Sequence, residues 1–245
     1  MSAPTAAAIL IGNELLTGKI ADKNLLVLAR TLRALGVDFV RASMIGDDLD
    51  GIAAEVRALA AAHTWVFTSG GVGPTHDDVT IDAVARAFDQ RVVEHPELAA
   101  MIREVYGDRL RDGHLLMARI PERARLVRTP EVPWPATVCE NVWLLPGVPE
   151  IFELKMKLLP ALIQPSQPMT SLSVSVGLDE GTLKPALDAT VFAFPDVAIG
   201  SYPTFRDTVV RTKLTFDGPD RERCEEAREG FVTRLGAEHV VAKDG

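Results

Sequence analysis

Basic residues are scarce relative to acidic ones, and this scarcity excludes one class of partner. The 245 residues include 26 Lys and Arg against 34 Asp and Glu, which gives a formal net charge of −8. Binding to a nucleic-acid backbone requires clustered Lys and Arg, whereas the basic residues here are scattered among acids. We therefore expect no nucleic-acid partner.

Long apolar runs and a secretion signal are also lacking. No run approaches the roughly 20 apolar residues of a membrane helix, and residues 1–5 lack the basic region of a signal peptide. The two cysteines, Cys139 and Cys224, are far apart and fit no metal-ligand pattern. These features predict a cytoplasmic protein with reduced thiols and no membrane partner.

Several common catalytic motifs are missing as well. The sequence has no nucleophile elbow, no Walker-type Gly-Lys-Thr and no G-x-G-x-x-G fingerprint. Serine hydrolases, P-loop NTPases and the usual dinucleotide dehydrogenases are thereby excluded. The histidines show no zinc spacing either.

What the sequence does contain is an alternation of short apolar runs and amphipathic stretches. Predicted strands cover Ala6–Ile11, Val37–Ile45, Trp65–Thr68 and Val142–Leu145. Helical stripes separate the first three, and strands spaced by helices favour a mainly parallel sheet covered on both faces. Ligands of such sheets bind beyond the carboxyl ends of the strands.

The pattern changes after a proline-containing linker at residues 163–168. Beyond it, strands and helices follow the order β-α-β-β-α-β, which is typical of a small ferredoxin-like module. We predict two domains, an α/β domain over residues 1–163 and a ferredoxin-like α+β domain over residues 170–245.

The most informative segment is the glycine-rich loop over residues 68–80, which joins a strand to a helix. Gly70, Gly71 and Gly73 allow backbone N–H groups to approach an anion near a helix N-terminus. The loop also carries Asp77 and Asp78. Alternatively it is a plain turn with Asp78 or Thr80 as the N-cap, but capping needs only one acceptor. One Asp can cap while the other binds Mg²⁺ or positions a nucleophile.

Two further loops follow predicted strand ends. The first loop contains side chains suited to a polar ring or ribose, those of Glu14, Asp22 and Asn24, and Lys19, which is suited to a phosphate. Alternatively, Asp22 and Asn24 only cap the next helix. The other loop, residues 146–149, is either a rigid turn or a wall of the same pocket. Asp47 and Asp48 are either helix-capping residues before Ile52 or a further acid at the pocket edge.

These loops together carry a resemblance to a known family. The stretches that carry it are Gly12-Asn13-Glu14-Leu15-Leu16-Thr17-Gly18 with Asp22 and Asn24, residues 70–80, Met117-Ala118-Arg119-Ile120-Pro121, and Leu145-Pro146-Gly147-Val148-Pro149. The chain resembles the MoaB/Mog-like molybdopterin-binding domains over residues 6–160, in particular the branch found in the competence/damage-inducible protein CinA and in eukaryotic FAD synthase.

The resemblance implies a three-layer α/β/α fold and a homo-oligomer, trimeric in the Mog branch and dimeric in CinA-type proteins. In the adenylyltransferase branch the glycine-rich loop and its Asp bind pterin phosphate and nucleotide, a role that falls here on Gly70, Gly71, Gly73 and Asp78. The CinA branch is associated with metal-dependent hydrolysis of ADP-ribose-like pyrophosphates, and the FAD synthase relative with FAD hydrolysis. By resemblance, Asp77, Asp78 and Asp47 are candidate metal-binding or water-positioning acids.

The leading hypothesis is a site for a pterin or nucleotide phosphate, such as molybdopterin. Its rivals are an Mg²⁺-, Mn²⁺- or Co²⁺-dependent pyrophosphatase of ADP-ribose or FAD-like dinucleotides, and a non-catalytic oligomeric scaffold. The predicted ligand-binding residues are Gly12, Asn13, Glu14, Gly18, Lys19, Asp22, Asn24, Gly70, Gly71, Gly73, Pro74, Thr75, Thr80, Pro146, Gly147, Val148 and Pro149.

Overall fold

A computed structural model describes residues 4–163, 169–206 and 209–244. The chain divides into two compact units, residues 1–166 and 167–245. The predicted linker lies outside the described residues apart from Ile163, as does the predicted start of a strand at Thr208.

The elements of the first unit follow one another in this order: β1 (Thr5–Ile11), α1 (Asn13–Leu16), α2 (Asn24–Ala34), β2 (Asp38–Ile45), α3 (Leu49–Ala62), β3 (Trp65–Ser69), α4 (Thr80–Ala87), β4 (Val92–Glu94), α5 (Pro96–Tyr106), α6 (Asp112–Leu115), β5 (Arg119–Pro121), β6 (Arg125–Thr129), β7 (Val132–Cys139), β8 (Val142–Leu145), α7 (Pro149–Met156) and α8 (Leu159–Leu162). Short 3-10 turns cover Gly107–Arg109 and Leu116–Ala118.

The central sheet of this unit has the strand order β2-β1-β3-β8-β7-β6. The first four strands run parallel to one another, whereas β7 and β6 are antiparallel to their neighbours. The carboxyl ends of β1, β2, β3 and β8 therefore meet at one edge. Strand β4 pairs with β5 in a small separate two-stranded antiparallel sheet.

Alternate residues of β1 show why the sheet is covered on both faces. Ala6 and Ala8 pack with helices α2 and α7 in one core, whereas Ala7 and Ile9 pack with α3 and α4 in another. A strand buried on both faces must be apolar at every position, as β1 is. The predicted three-layer α/β/α domain with a mainly parallel sheet is confirmed.

The second unit contains β9 (Thr170–Val176), α9 (Glu180–Ala193), β10 (Ala198–Arg206), β11 (Val209–Gly218), α10 (Arg221–Leu235) and β12 (Val240–Asp244), with a 3-10 turn at Ala237–His239. Its sheet has the order β10-β11-β9-β12, with every pair antiparallel. This is the ferredoxin-like arrangement, as predicted. Pro185 lies in the second turn of α9, where it deprives the helix of one backbone donor.

Among the described residues, no helix combines the length and apolar character needed to cross a bilayer.

Candidate functional site

A cavity of about 970 Å³ lies at the carboxyl-terminal edge of the parallel strands of the first unit. The loops that follow β1, β2, β3 and β8 contribute to its wall. Predicted site residues in this wall are Gly12, Glu14, Asp22, Asn24, Asp47, Gly70, Gly71, Gly73, Pro74, Thr75, Asp77, Asp78, Pro146, Gly147, Val148 and Pro149. The structure thus brings residues from all three predicted loops to one crevice.

Four of the predicted ligand-binding residues lie outside this wall: Asn13, Gly18, Lys19 and Thr80. The side chain of Thr80 is fully buried, and its Oγ1 donates to the carbonyl oxygen of Gly70 at 2.9 Å. The N–H of Asn13 donates to Asp47 Oδ2 at 3.0 Å, so Asn13 positions an acid of the wall. Gly18 and Lys19 are exposed on the turn after α1.

Asn24 holds two of the loops together. Its Nδ2 donates to Ser69 Oγ and to the carbonyl oxygen of Gly147, each at 2.9 Å. Asn24 is not the N-cap of α2; Lys23 holds that position, and Asp22 Oδ1 accepts the N–H of Leu25 in the first turn at 2.8 Å. Asn24 is almost fully buried, and its Oδ1 has no hydrogen-bond partner among the described residues.

Close backbone packing explains the first glycine of the glycine-rich loop. Gly70 has φ = 106°, and a Cβ there would lie 2.3 Å from the carbonyl oxygen of Ile11. Its N–H donates to the carbonyl oxygen of Leu145 at 3.0 Å. Gly70 thus joins three strand ends and leaves no N–H for a ligand.

The next three residues of the loop have free donors. Within the described part of the chain, the N–H groups of Gly71, Val72 and Gly73 have no hydrogen-bond acceptor, and all three residues lie in the cavity wall. Successive unpaired backbone N–H groups can bind one anion together. Helix α4 begins seven residues after Gly73, at Thr80.

The two acids of the loop converge on one hydroxyl group. Thr75 Oγ1 lies 2.6 Å from Asp77 Oδ1 and 2.6 Å from Asp78 Oδ2, and Asp78 Oδ2 also accepts the Thr75 N–H at 2.8 Å. The Thr75 hydrogen bond lowers the pKa of Asp77. Neither Asp78 nor Thr80 is the N-cap of α4; Val79 holds that position without a side-chain bond.

Of the neighbouring residues Asp47 and Asp48, one caps a helix and the other lies at the cavity. Asp48 caps α3, because its Oδ2 accepts the N–H of Gly51 at 3.0 Å. Asp47 lies in the cavity wall. The structure therefore places Asp47 with the other acids of the crevice.

Asp77 and Asp78 fit a divalent cation shared with a ligand phosphate better than a site made by protein alone. No Lys or Arg of the described chain pairs with either carboxylate; a basic side chain near them is that of His76, whose Nδ1 lies 3.9 Å from Asp77 Oδ1. The described residues contain no cluster of three His, Cys, Asp or Glu that could hold a metal. Magnesium commonly takes one or two carboxylates and completes its shell with phosphate oxygens and water.

Several wall residues had not been identified as site residues from the sequence. Lys155 of α7 lies in the wall with Tyr106, Arg119 and Trp134. Arg119 Nη2 donates to Asp82 Oδ1 at 2.9 Å, so its charge is paired. The sequence did contain a signal for Lys155: this lysine falls on the helical stripe of α7 that is otherwise apolar, next to Met156.

Each of the two units matches the model of a known protein family. The family described as probable molybdopterin binding domain matches residues 7–164, and the family described as FAD synthase, middle domain, matches residues 168–244.

Individual relatives point the same way. A probable FAD synthase of Caenorhabditis elegans is 32% identical over 98% of this chain and 51% of its own length. A CinA-like protein of Thermotoga neapolitana is 30% identical over 94% of this chain and 58% of its own. The chain spans about half the length of the curated FAD synthase relatives that it matches.

One solved structure is similar at the level of sequence and fold. The crystal structure of a CinA protein of unknown function from Thermoplasma acidophilum has a TM-score of 0.60 and 32% identity, and the alignment covers 66% of this chain and 98% of that one.

Proposed function

The chain belongs to the family of probable molybdopterin-binding domains, and on that premise we propose that its crevice binds a pterin or nucleotide phosphate. The observation that carries this proposal is the run of three unpaired N–H groups at Gly71, Val72 and Gly73 in the cavity wall. A phosphate group supplies acceptor oxygens for several such donors at once.

The size of the cavity supports a ligand larger than phosphate. At about 970 Å³ it lies at the upper end of the range usual for small-molecule sites, about 300–1,000 Å³.

A second candidate function is the metal-dependent hydrolysis of ADP-ribose or FAD-like dinucleotides. Its specific support is the pair of carboxylates, those of Asp77 and Asp78, that lie within hydrogen-bond distance of the Thr75 hydroxyl group. Neither carboxylate has a Lys or Arg partner in the described chain. Asp77 and Asp78 would hold Mg²⁺, Mn²⁺ or Co²⁺. When bound, such an ion supplies charge neutralisation and Lewis acidity toward the diphosphate. The protein's own part is to hold the diphosphate against the loop amides and to orient the acids through Thr75.

One experiment separates binding from turnover. The purified chain is titrated calorimetrically with AMP, ADP-ribose and FAD, with and without Mg²⁺, and AMP release is measured in the same samples. Asp78→Ala is the test variant. Asp108→Ala is the matched control, because Asp108 is exposed and outside the cavity wall.

Binding that Asp78→Ala weakens and Asp108→Ala does not would support the phosphate site. AMP release that requires metal, and that Asp78→Ala reduces while Asp108→Ala does not, would support the pyrophosphatase activity as well. The proposal fails if no ligand binds with or without metal, and the scaffold would then be the remaining hypothesis.

A further inference from the structure

One end of the cavity differs in character from the loops that carry the acids. Trp134 and Pro135 belong to β7, which is three strand positions from β1 in the sheet, or roughly 14 Å at about 4.8 Å per position. The cavity wall that includes these β7 residues also includes Tyr106, Met117 and Leu154. Flat aromatic and thioether side chains make a compartment suited to a planar ring.

A buried cation lies in the wall of this compartment. Lys155 is 4% exposed, and its Nζ donates to two main-chain oxygens, those of Trp134 and of Pro135, the latter at 2.9 Å. An ammonium group has three N–H donors, so one remains. No carboxylate of the described chain pairs with Lys155, whereas the neighbouring Arg119 is paired with Asp82.

A desolvated ammonium with only neutral acceptors is unfavourable. Burial lowers the pKa of Lys155 to about 8. Below that pH the group is charged, and a bound ligand can provide the missing acceptor.

We propose that Lys155 determines which ring this cavity accepts, namely a fused heterocycle with a lactam carbonyl whose oxygen accepts the third N–H. This inference rests on the proposed phosphate site, which would anchor the other part of the same ligand. Pterins, flavins, guanine and hypoxanthine carry a lactam; adenine carries an amino group there.

The preference follows from charge. A lactam oxygen bears partial negative charge, and the ring can take up more by releasing its N–H proton, so it compensates a buried cation. Adenine offers neutral ring nitrogens and an amino group, which is itself a donor and is repelled by an ammonium that can only donate. A site built to hydrogen-bond one group discriminates strongly against an analogue that lacks it.

The test compares two ligands that differ only at C6 of the ring and in the proton on the adjacent N1. Inosine monophosphate has the lactam and adenosine monophosphate the amino group, with identical ribose and phosphate. Calorimetric titration of the full chain at pH 7 with Mg²⁺ should give a dissociation constant about tenfold lower for inosine monophosphate, since a hydrogen bond to a charged group contributes that much or more.

Substitution assigns the preference to one side chain. Lys155→Met keeps a long apolar stem, and it should bring the two dissociation constants to within about twofold of each other by weakening inosine monophosphate selectively. Lys157→Met is the matched control, because Lys157 is exposed on the same helix end and outside the wall, and it should keep the wild-type ratio. Thermal unfolding of each variant shows whether it is folded.

The outcomes separate this inference from the proposed function. Equal affinity of the wild-type chain for the two nucleotides would overturn the role of Lys155 and leave the phosphate site standing, and this arm needs no variant. A preference that survives in folded Lys155→Met would also overturn it. Binding of neither nucleotide would overturn the proposed function and this inference with it.

Discussion

At the scale of single residues, two loop positions show what the glycine-rich loop demands of its sequence. Gly71 has φ = 67°, and a Cβ there would lie 2.2 Å from Thr80 Oγ1. We expect Gly71→Ala to destabilise the chain by about 1–3 kcal/mol, because both the left-handed conformation and the contact become unfavourable. Urea denaturation measures this change.

Gly113 is the matched control for that substitution. A Cβ at Gly113 meets nothing within 4 Å, and its φ is not in the left-handed region. Gly113→Ala in α6 should therefore be neutral or slightly stabilising. Equal effects of the two substitutions would contradict the account of the loop.

A second residue-scale prediction concerns Thr75. Its hydrogen bond is the largest cause of the lowered pKa of Asp77, so Thr75→Val should raise that pKa toward its ordinary value. In the wild-type chain the bond to the charged carboxylate stabilises the native loop above the ordinary Asp pKa, and this contribution is lost as the pH falls through the lower native value. Carbon-detected NMR titration of Asp77 measures both pKa values. An unchanged pKa in Thr75→Val would show that the hydroxyl does not orient this acid.

At the scale of elements, the connection between loops depends on Asn24. Asn24→Leu leaves Ser69 Oγ and the Gly147 carbonyl without their donor, which costs about 1–3 kcal/mol. It should also weaken AMP binding, because the loops after β3 and β8 lose their link. Urea denaturation and calorimetry measure the two effects.

Asn141 offers a control of the same chemistry away from the cavity. Its Nδ2 donates to the carbonyl oxygens of Ala60 and His63, each at 2.9 Å. Asn141→Leu should lose comparable stability and keep its affinity for AMP. Weakened binding in both variants would mean that general stability, rather than the loop connection, governs the cavity.

Much of the element order could be predicted from the sequence, because β1, β3 and β8 are short apolar runs that end at glycines or turns. Strand β7 could not, since Pro133 and Pro135 argue against a strand; it is accommodated near the sheet margin as an antiparallel strand beside β8. Strands β4 and β5 have three residues each, too few to show a period.

The location of the site could be predicted because the ends of the parallel strands determine where the loops lie. Parallel strands bring the loops after β1, β3 and β8 to one edge, whatever their side chains. Contacts such as Asn24 with Gly147 join residues 123 apart, and no local pattern encodes them. Lys155 was missed for a related reason: its acceptors are main-chain oxygens of a strand that was not predicted.

At the scale of the whole molecule, all residues of the cavity wall belong to the first unit. That unit has its own cores on both sheet faces. We therefore expect a fragment of residues 1–166 to fold and to bind AMP with a dissociation constant within about threefold of that of the full chain. A folded fragment without affinity for AMP would show that residues 167–245 complete the site. The homo-oligomer stays a prediction. Light scattering of the full chain and of the fragment measures their molar masses and tests it.

The most direct measurement of the central claim is an amide NMR titration of the full chain with AMP and Mg²⁺. If the loop binds the phosphate, the largest chemical-shift changes will fall on the N–H groups of Gly71, Val72 and Gly73, and they will saturate together. Saturable binding that leaves these three amides unshifted would contradict the account, as would the absence of any shift at millimolar AMP.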